Sequence, residues 1–98
     1  MFLRSGAPRS LSEVGRVPMQ YVYIIQSEKD GSRYVGVTRD LKRRIREHNS
    51  GNAKYSSSKR PYQLIWYCAF INKIVAYDFE RYLKSSSGFA FTNKRLIR

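Results

Sequence analysis

The chain has 98 residues and a formal net charge of +12, from 19 lysines and arginines against 7 acidic residues. A chain this short forms one domain with a modest core and leaves no room for a second nucleic-acid-binding domain of ordinary size. Its positive field attracts polyanions, so a nucleic acid is the expected partner. No membrane partner is expected, because no apolar run can span a bilayer and the basic residues do not oppose a broad apolar helix face.

The single cysteine, Cys68, excludes an internal disulfide and a cysteine-rich zinc site. It lies in the apolar run of residues 64–70, which indicates a buried and inert thiol. The sequence also lacks a secretory signal with a long apolar centre, so we expect a reducing, cytoplasmic location.

Residues 1–18 differ from the rest of the chain, because they contain several arginines and a single acid, Glu13, without a clear periodicity. Two interpretations remain open: a basic targeting segment that resembles an organelle transit peptide, or an extension ahead of an internal start at Met19. We favour the second interpretation. In either case we predict a disordered extension over residues 1–18 and a folded domain over residues 19–98.

The first predicted elements form a hairpin, with strands at about residues 20–26 and 33–37. Asp30 and Gly31 lie between them, and Asp-Gly between two β-prone runs is a strong hairpin signal. Because side chains alternate along a strand, the pairing would place Tyr23 and Tyr34 on one surface.

The remaining elements follow from periodicity and from turn residues. The first is a helix after Thr38 with an apolar stripe at Leu41, Ile45 and His48, and it stops at Gly51. A polar loop over 51–61 leads to an apolar strand over 62–70, which we place at the centre of the sheet. A second helix over 73–85 is ended by residues 85–88, and a last turn follows over 94–97. The predicted fold class is α/β, with a small three-stranded, mainly antiparallel sheet flanked by helices. The predicted order is β-β-α-β-α with a short C-terminal helix.

Two tripeptides and three single residues carry a family resemblance. Residues 21–23 (YVY) and 34–36 (YVG), followed by Arg44, His48 and Glu80, resemble the signature of the GIY-YIG nuclease family. The resemblance covers about residues 20–97. It is strongest to small stand-alone bacterial members, which are related to the N-terminal nuclease domain of the UvrC repair protein.

The resemblance implies a divalent-metal-dependent endonuclease that hydrolyses phosphodiester bonds in nucleic acid, with DNA in repair or recombination as the expected substrate. It assigns Glu80 to hold Mg²⁺ or Mn²⁺, a role that suits one carboxylate combined with water and substrate phosphate. Asp78, at the opposite border of the same helix face, is the less favoured carboxylate. The simpler interpretation of Glu80 is a helix ion pair with Lys84.

Arg44 lies about 60° from the centre of the apolar helix stripe, which draws it toward the sheet. A phosphodiester suits its planar guanidinium, and the resemblance implies a role in binding and stabilising the phosphate. A structural ion pair with Glu47 or Asp40 is the alternative.

Tyr23 and Tyr34 line the site by resemblance, and one of them orients or deprotonates the attacking water. A metal ion and Arg44 are expected to lower the pKa of that tyrosine, which is otherwise near 10. The choice between the two tyrosines stays open. His48 is either a proton-transfer group or phosphate donor, or a packed residue of the helix.

The sequence departs from the family pattern at two places: Tyr21 replaces the first signature's glycine, and Val37 replaces a lysine that follows the second signature in the repair branch. Lys54 or Lys59 would have to supply the missing cation. The basic loop from Lys54 to Arg60 is a predicted strip for the nucleic-acid backbone, and its Tyr55 is available to stack on an unpaired base.

Two rival functions are a non-catalytic nucleic-acid-binding module and a docking subunit whose partner protein supplies targeting. Neither requires the carboxylate of Glu80.

Overall fold

The first two strands form the predicted hairpin in a computed structural model that describes residues 19–50 and 57–97. Strand β1 (Gln20–Ser27) pairs antiparallel with β2 (Arg33–Thr38). At the turn, Gly31 has a φ of 79°, a left-handed conformation that glycine adopts without steric cost. Its N–H donates to the carbonyl of Ser27 at 2.9 Å. The Asp-Gly signal is therefore confirmed.

The third strand, β3 (Tyr62–Phe70), pairs antiparallel with β1, which gives the strand order β2-β1-β3. The prediction that this apolar strand is central was wrong, because β1 holds the centre. Residues 22–25 of β1 are each at most 2% exposed, whereas Tyr67 of β3 is 51% exposed. Helices cover both faces of this small sheet, so an edge strand also becomes apolar on both sides.

Helix α1 (Leu41–Ser50) packs on one face of the sheet, as its apolar stripe predicted. A carboxylate oxygen of Asp40 accepts the N–H of Arg43 at 3.1 Å and so caps the start of the helix. The predicted stop at Gly51 lies outside the described residues. Of the predicted loop, residues 57–59 form a single turn of 3₁₀-helix.

Helix α2 (Lys73–Leu83) covers the opposite face and ends two residues before the predicted boundary. Its buried Ala76 and Leu83 join the core that β1 and β3 form. Cys68 is 2% exposed in this core, and burial raises the pKa of its thiol to about 12. The prediction of a buried, inert cysteine is confirmed.

Helix α2 ends before the serine-rich segment, as predicted, but this segment also begins a further helix that was not predicted. The hydroxyl of Ser85 accepts the N–H of Gly88 at 3.1 Å and caps α3 (Ser86–Phe91). Serine is favoured at both turns and N-caps, so the same residues fit both roles. A turn of π-helix over Thr92–Leu96 replaces the predicted turn at 94–97.

The α/β class and the three-stranded antiparallel sheet are confirmed. Among the helices of residues 19–50 and 57–97, none has the length and apolar character needed to cross a membrane.

Candidate active site

The sheet face under α1 is rich in tyrosine. Tyr23 pairs with Gly36, and Ile25 pairs with Tyr34, so Tyr23 and Tyr34 lie on the same face as predicted. The pairings of β1 with β3 add more aromatic rings to this face. We call it the tyrosine face and define it by Tyr21, Tyr23, Tyr34, Tyr62 and Tyr67.

The ring of Tyr23 lies directly over Gly36. A Cβ atom at position 36 would lie 2.5 Å from the Tyr23 hydroxyl oxygen and 2.6 Å from the ring carbon that carries it. Tyr23 is 2% exposed. The glycine of the second signature therefore provides the space through which the hydroxyl extends toward β2.

Two residues of α1 contact the Tyr23 hydroxyl. Its oxygen lies 3.2 Å from Nε2 of His48, and the Arg44 guanidinium donates a hydrogen bond to it. His48 also packs edge-on against Tyr62, with ring centroids 5.7 Å apart. His48 is thus a packed helix residue, as one interpretation of the sequence held, and it is also a hydrogen-bond partner of Tyr23.

Burial dominates the protonation of this cluster. It raises the pKa of Tyr23, and the hydrogen bond and charge of Arg44 oppose that shift only in part. Burial, followed by the charge of Arg44, lowers the pKa of His48. Desolvation of the phenolate outweighs the charge of Arg44, so this arginine alone does not lower the pKa of Tyr23. The lowered tyrosine pKa expected from Arg44 together with a metal ion stays a prediction. At neutral pH a neutral phenol therefore lies beside a neutral imidazole.

Arg44 has a half-exposed side chain, at 41%, and it donates to Glu47 at 2.9 Å. The contacts with Glu47 and with Tyr23 both raise the pKa of the guanidinium. The structure therefore contains both arrangements considered from the sequence, the ion pair with Glu47 and the approach to the tyrosines. The exposed part of the side chain is accessible to a ligand.

Glu80 of α2 lies near the cluster. Its negative charge raises the pKa of Tyr23, whereas the charge of Lys84 lowers it. The glutamate side chain is 19% exposed and pairs with Lys84 at 3.0 Å, which is the simpler interpretation drawn from the sequence. Asp78 is 63% exposed, lies 3.7 Å from Arg81, and is not among the charges that act on Tyr23.

Tyr34 has a different environment from Tyr23. Its ring contacts Tyr62 edge-on at 5.5 Å, and the residue is half-buried. The hydrogen bond to Asp30 raises the pKa of the Lys59 ammonium most. The charge of Tyr34 raises the same pKa by a smaller amount, so Lys59 lies near Tyr34. The Lys59 ammonium lies 2.6 Å from the Asp30 carboxylate, so this candidate replacement cation is already paired.

The other predicted nucleic-acid contacts are only partly visible. Lys54 and Tyr55 lie outside the described residues, and Arg60 is exposed. Asn93 accepts a hydrogen bond from Arg33 at 2.6 Å, which ties the C-terminal turn to the strand that carries Tyr34.

A metal ion would find one carboxylate beside Tyr23. In the part of the chain that the structure describes, no three histidine, cysteine, aspartate or glutamate residues converge on one point. A single, partly exposed Glu80 fits a hard cation that keeps several waters and takes further ligands from a substrate phosphate. It does not fit a fully protein-enclosed ion.

The contact between Gly36 and Tyr23 was not predicted from the sequence, and neither was the exposure of Tyr67. A glycine inside a strand indicates close approach of another group, and this signal was available at Gly36. No comparable signal identified Tyr67, because its exposure depends on the edge position of β3.

A three-stranded sheet that holds tyrosine, histidine and arginine in contact, with a glutamate supplied by a packed helix, defines a small α/β domain with a polar cluster on one face of its sheet. Residues 19–95 match the family model described as the GIY-YIG catalytic domain, and the chain belongs to this family. The resemblance seen in the sequence is thereby confirmed.

The chain is also similar to small bacterial proteins named UPF0213. It is 43% identical over 67 residues to one from Clostridium perfringens, covering 67% of this chain and 71% of the relative. Identity to the UPF0213 protein YazA of Bacillus subtilis is 40% over 65 residues, 65% of each chain. The solution NMR structure of a UPF0213 protein from Bacillus halodurans has a TM-score of 0.50 at 37% identity, covering 78% of this chain and 83% of that one.

Proposed function

We propose that this protein is a divalent-metal-dependent endonuclease that hydrolyses phosphodiester bonds in nucleic acid, with DNA in repair or recombination as the expected substrate. Residues 19–98 form the catalytic domain in this proposal, and the expected location is cytoplasmic. The observation that carries it is the buried Tyr23 hydroxyl, which lies in contact with His48 and Arg44 and within the field of Glu80.

The Tyr23–His48 pair provides a route for a proton. With its own proton on Nδ1, a neutral His48 accepts the Tyr23 proton at Nε2 over 3.2 Å. The Tyr23 oxygen then takes a proton from the attacking water, so that charge does not accumulate on the phenol. The lowered pKa of His48 keeps the imidazole neutral, and so able to accept, at pH 7.

Arg44 provides the contact with the phosphate. Its side chain is 41% exposed, so its remaining N–H groups are accessible to a phosphate oxygen while others bind Tyr23 and Glu47. Charge-assisted hydrogen bonds of this kind stabilise the charge that develops on the phosphoryl oxygens.

Glu80 would hold Mg²⁺ or Mn²⁺, and such an ion would supply Lewis-acid stabilisation of the phosphate. Lys84 pairs with one of the two carboxylate oxygens of Glu80, Oε2, at 3.0 Å. A metal ion that binds the Glu80 carboxylate therefore competes with the Lys84 ammonium. Lys84 is exposed, so its side chain can move into solvent when the ion binds.

A non-catalytic binding module or docking subunit is the second candidate function. Arg44 and Glu80 each have a partner on their own helix, Glu47 for Arg44 and Lys84 for Glu80. A domain that binds polyanions through its +12 charge alone would preserve these pairs for stability.

The first experiment compares wild-type protein with Glu80→Gln on labelled single-stranded, duplex and branched DNA and RNA, in Mg²⁺, Mn²⁺ or EDTA. A nuclease cuts at least one substrate, stops in EDTA, and loses cleavage in the variant while it still binds. Asp78→Asn is the matched control, since it removes the same charge from the same helix and should cut normally. Binding by the wild type without cleavage in any condition would favour the binding module.

A second pair of variants decides between the tyrosines. Tyr23→Phe should lower the cleavage rate by about 100-fold or more, the usual contribution of a proton-transfer group. Tyr34→Phe should change the rate much less, because the Tyr34 ring packs against Tyr62, whereas it is the Tyr23 hydroxyl that contacts His48 and Arg44. The reverse order would assign the proton transfer to Tyr34.

A further inference from the structure

Two further tyrosines lie next to Tyr23 on the tyrosine face. Tyr67 of β3 is directly opposite Tyr23 in the strand register, and it is 51% exposed. The ring of Tyr21 lies beside it, with centroids 6.2 Å apart and planes tilted by 57°. The exposed Tyr67 ring and the half-buried Tyr21 ring therefore form an aromatic surface, and β3 lies one strand spacing, about 5 Å, from the backbone that carries Tyr23.

Basic residues border this aromatic surface. Tyr21 and Tyr67 line a cleft of about 360 Å³ together with residues 39–42, an Arg-Asp-Leu-Lys segment at the start of α1. The Asp40 carboxylate is used as the helix cap. Arg39 and Lys42 are exposed, and neither pairs with an acid among residues 19–50 and 57–97.

We propose that Tyr21 and Tyr67 form a stacking platform for an unpaired base of a nucleic-acid strand, with Arg39 and Lys42 binding the flanking phosphates. The identity of the ligand as nucleic acid rests on the proposed function. An exposed ring offers a π-face that any base can stack on, and the two cations match the charge of the backbone on either side. We call this surface the Tyr21–Tyr67 platform.

The platform would determine which substrates the site accepts. A base in a continuous duplex is stacked on its neighbours and cannot reach a tyrosine ring without the cost of unstacking. A strand whose phosphate lies at Arg44 presents an adjacent base to the platform only where it is unpaired. Preferred substrates are therefore single strands, flaps or branch points. Tyr21 replaces the signature glycine, so this surface is specific to chains that carry an aromatic residue there.

The test measures binding in EDTA, so that it does not depend on cleavage. Fluorescence anisotropy gives dissociation constants of wild-type and Tyr67→Leu protein for a single-stranded DNA oligonucleotide and for the corresponding duplex. We expect Tyr67→Leu to weaken single-strand binding by about tenfold, which is typical of one lost stacking contact, and to leave duplex binding unchanged. Tyr67→Phe retains the ring and should bind like the wild type.

Oligonucleotides with abasic sites test the same contact from the nucleic-acid side, without a change in the protein. Removing the stacked base should weaken wild-type binding and should have little further effect on Tyr67→Leu. Equal losses in both proteins would overturn the proposal, as would equal weakening of single-strand and duplex binding by Tyr67→Leu. An RNA arm with the same abasic series identifies which nucleic acid occupies the platform.

Tyr77→Leu is the matched control, since Tyr77 is an exposed tyrosine of α2 on the other side of the sheet. It should bind both oligonucleotides like the wild type, and the emission of Trp66 reports whether each variant is folded. The two proposals fail separately. Base stacking without cleavage in any metal would overturn the hydrolytic function and support the platform. Cleavage without an effect of Tyr67→Leu on single-strand binding would support the hydrolytic function and overturn the platform.

Discussion

The position of the Tyr23 hydroxyl depends on the absence of a side chain at residue 36. A Cβ there would come within 2.5 Å of the hydroxyl oxygen and 3.0 Å of a ring carbon, separations that side chains do not tolerate. Tyr23 is 2% exposed, so its ring has no open space to move into without displacing the packed residues around it. Gly36 and Tyr23 therefore act as one unit in placing the phenol against His48 and Arg44.

A double-mutant cycle measures this coupling. Gly36→Ala should destabilise the protein by about 1–3 kcal/mol, as overpacking of a filled site usually does. In a Tyr23→Leu background, which lacks the ring atoms in question, the same substitution should cost less than about 1 kcal/mol. Urea unfolding of the four proteins gives the coupling free energy. Additive effects would show that the ring of Tyr23 does not occupy the space above residue 36.

His48 gives the stability of the protein a specific pH dependence. Its pKa is lowered in the folded state, while the unfolded chain has the ordinary value near 6.5. The unfolded state therefore binds the proton first as the pH falls, so the contribution of neutral His48 is complete above about pH 6.5 and is lost below it. Urea unfolding at about pH 7.5 and 5.5 should show a fall in the free energy of unfolding.

The matched variant for this prediction is His48→Gln, which keeps a polar side chain and cannot titrate. Its free energy of unfolding should change less than that of the wild type between the two pH values. A fall of equal size in both proteins would assign the pH dependence to other groups.

At the scale of the elements, helix α2 links the core to the candidate metal ligand. Its buried Ala76 and Leu83 fix it against the sheet, and Glu80 projects from the border of the packed face. The Asn72 side chain accepts the N–H of Val75 at 3.0 Å and caps the start of the helix. The position of the carboxylate therefore depends on packing and on a cap that lies two turns away from it.

Asn72→Ala should lower the free energy of unfolding by about 1 kcal/mol, because it leaves a helix N–H without its acceptor. Asn72→Asp keeps an acceptor oxygen at this position and should be close to the wild type. Thermal or urea unfolding of the three proteins makes the comparison. Equal stability of the wild type and Asn72→Ala would mean that packing alone determines where α2 begins.

The elements that could be predicted from sequence are those with local signals. The Asp-Gly turn and the apolar stripe of α1 each depend on neighbours within a few positions, and the structure has both as expected. The signature residues predicted the family, which the match over residues 19–95 confirms. The central position of β1 could not be deduced, because an edge strand covered by two helices is as apolar as a central one. The raised pKa of Tyr23 also lay beyond the sequence, since burial is a property of the assembled fold.

For the whole molecule, the net charge of +12 is much larger than the local charges of any one site. A field of this size increases the rate of capture of any polyanion, and it is screened by salt within about 10 Å at 0.1 M. Direct contacts between basic side chains and phosphates add to the affinity only on the face of the sheet to which the nucleic-acid strand binds. The two effects can be separated by variants that change the total charge equally but on opposite faces of the sheet.

Lys42→Gln and Lys73→Gln form such a pair, since each removes one positive charge. Lys42 borders the Tyr21–Tyr67 platform, whereas Lys73 lies on α2, with its ammonium 5.9 Å from the centre of the Tyr77 ring. For a single-stranded oligonucleotide, the plot of log affinity against log salt should lose about 0.7 of its slope in Lys42→Gln, the value for one phosphate contact. Lys73→Gln should keep the wild-type slope, because it lowers only the general field. Equal slopes in the two variants would mean that the strand binds without a fixed track on the tyrosine face.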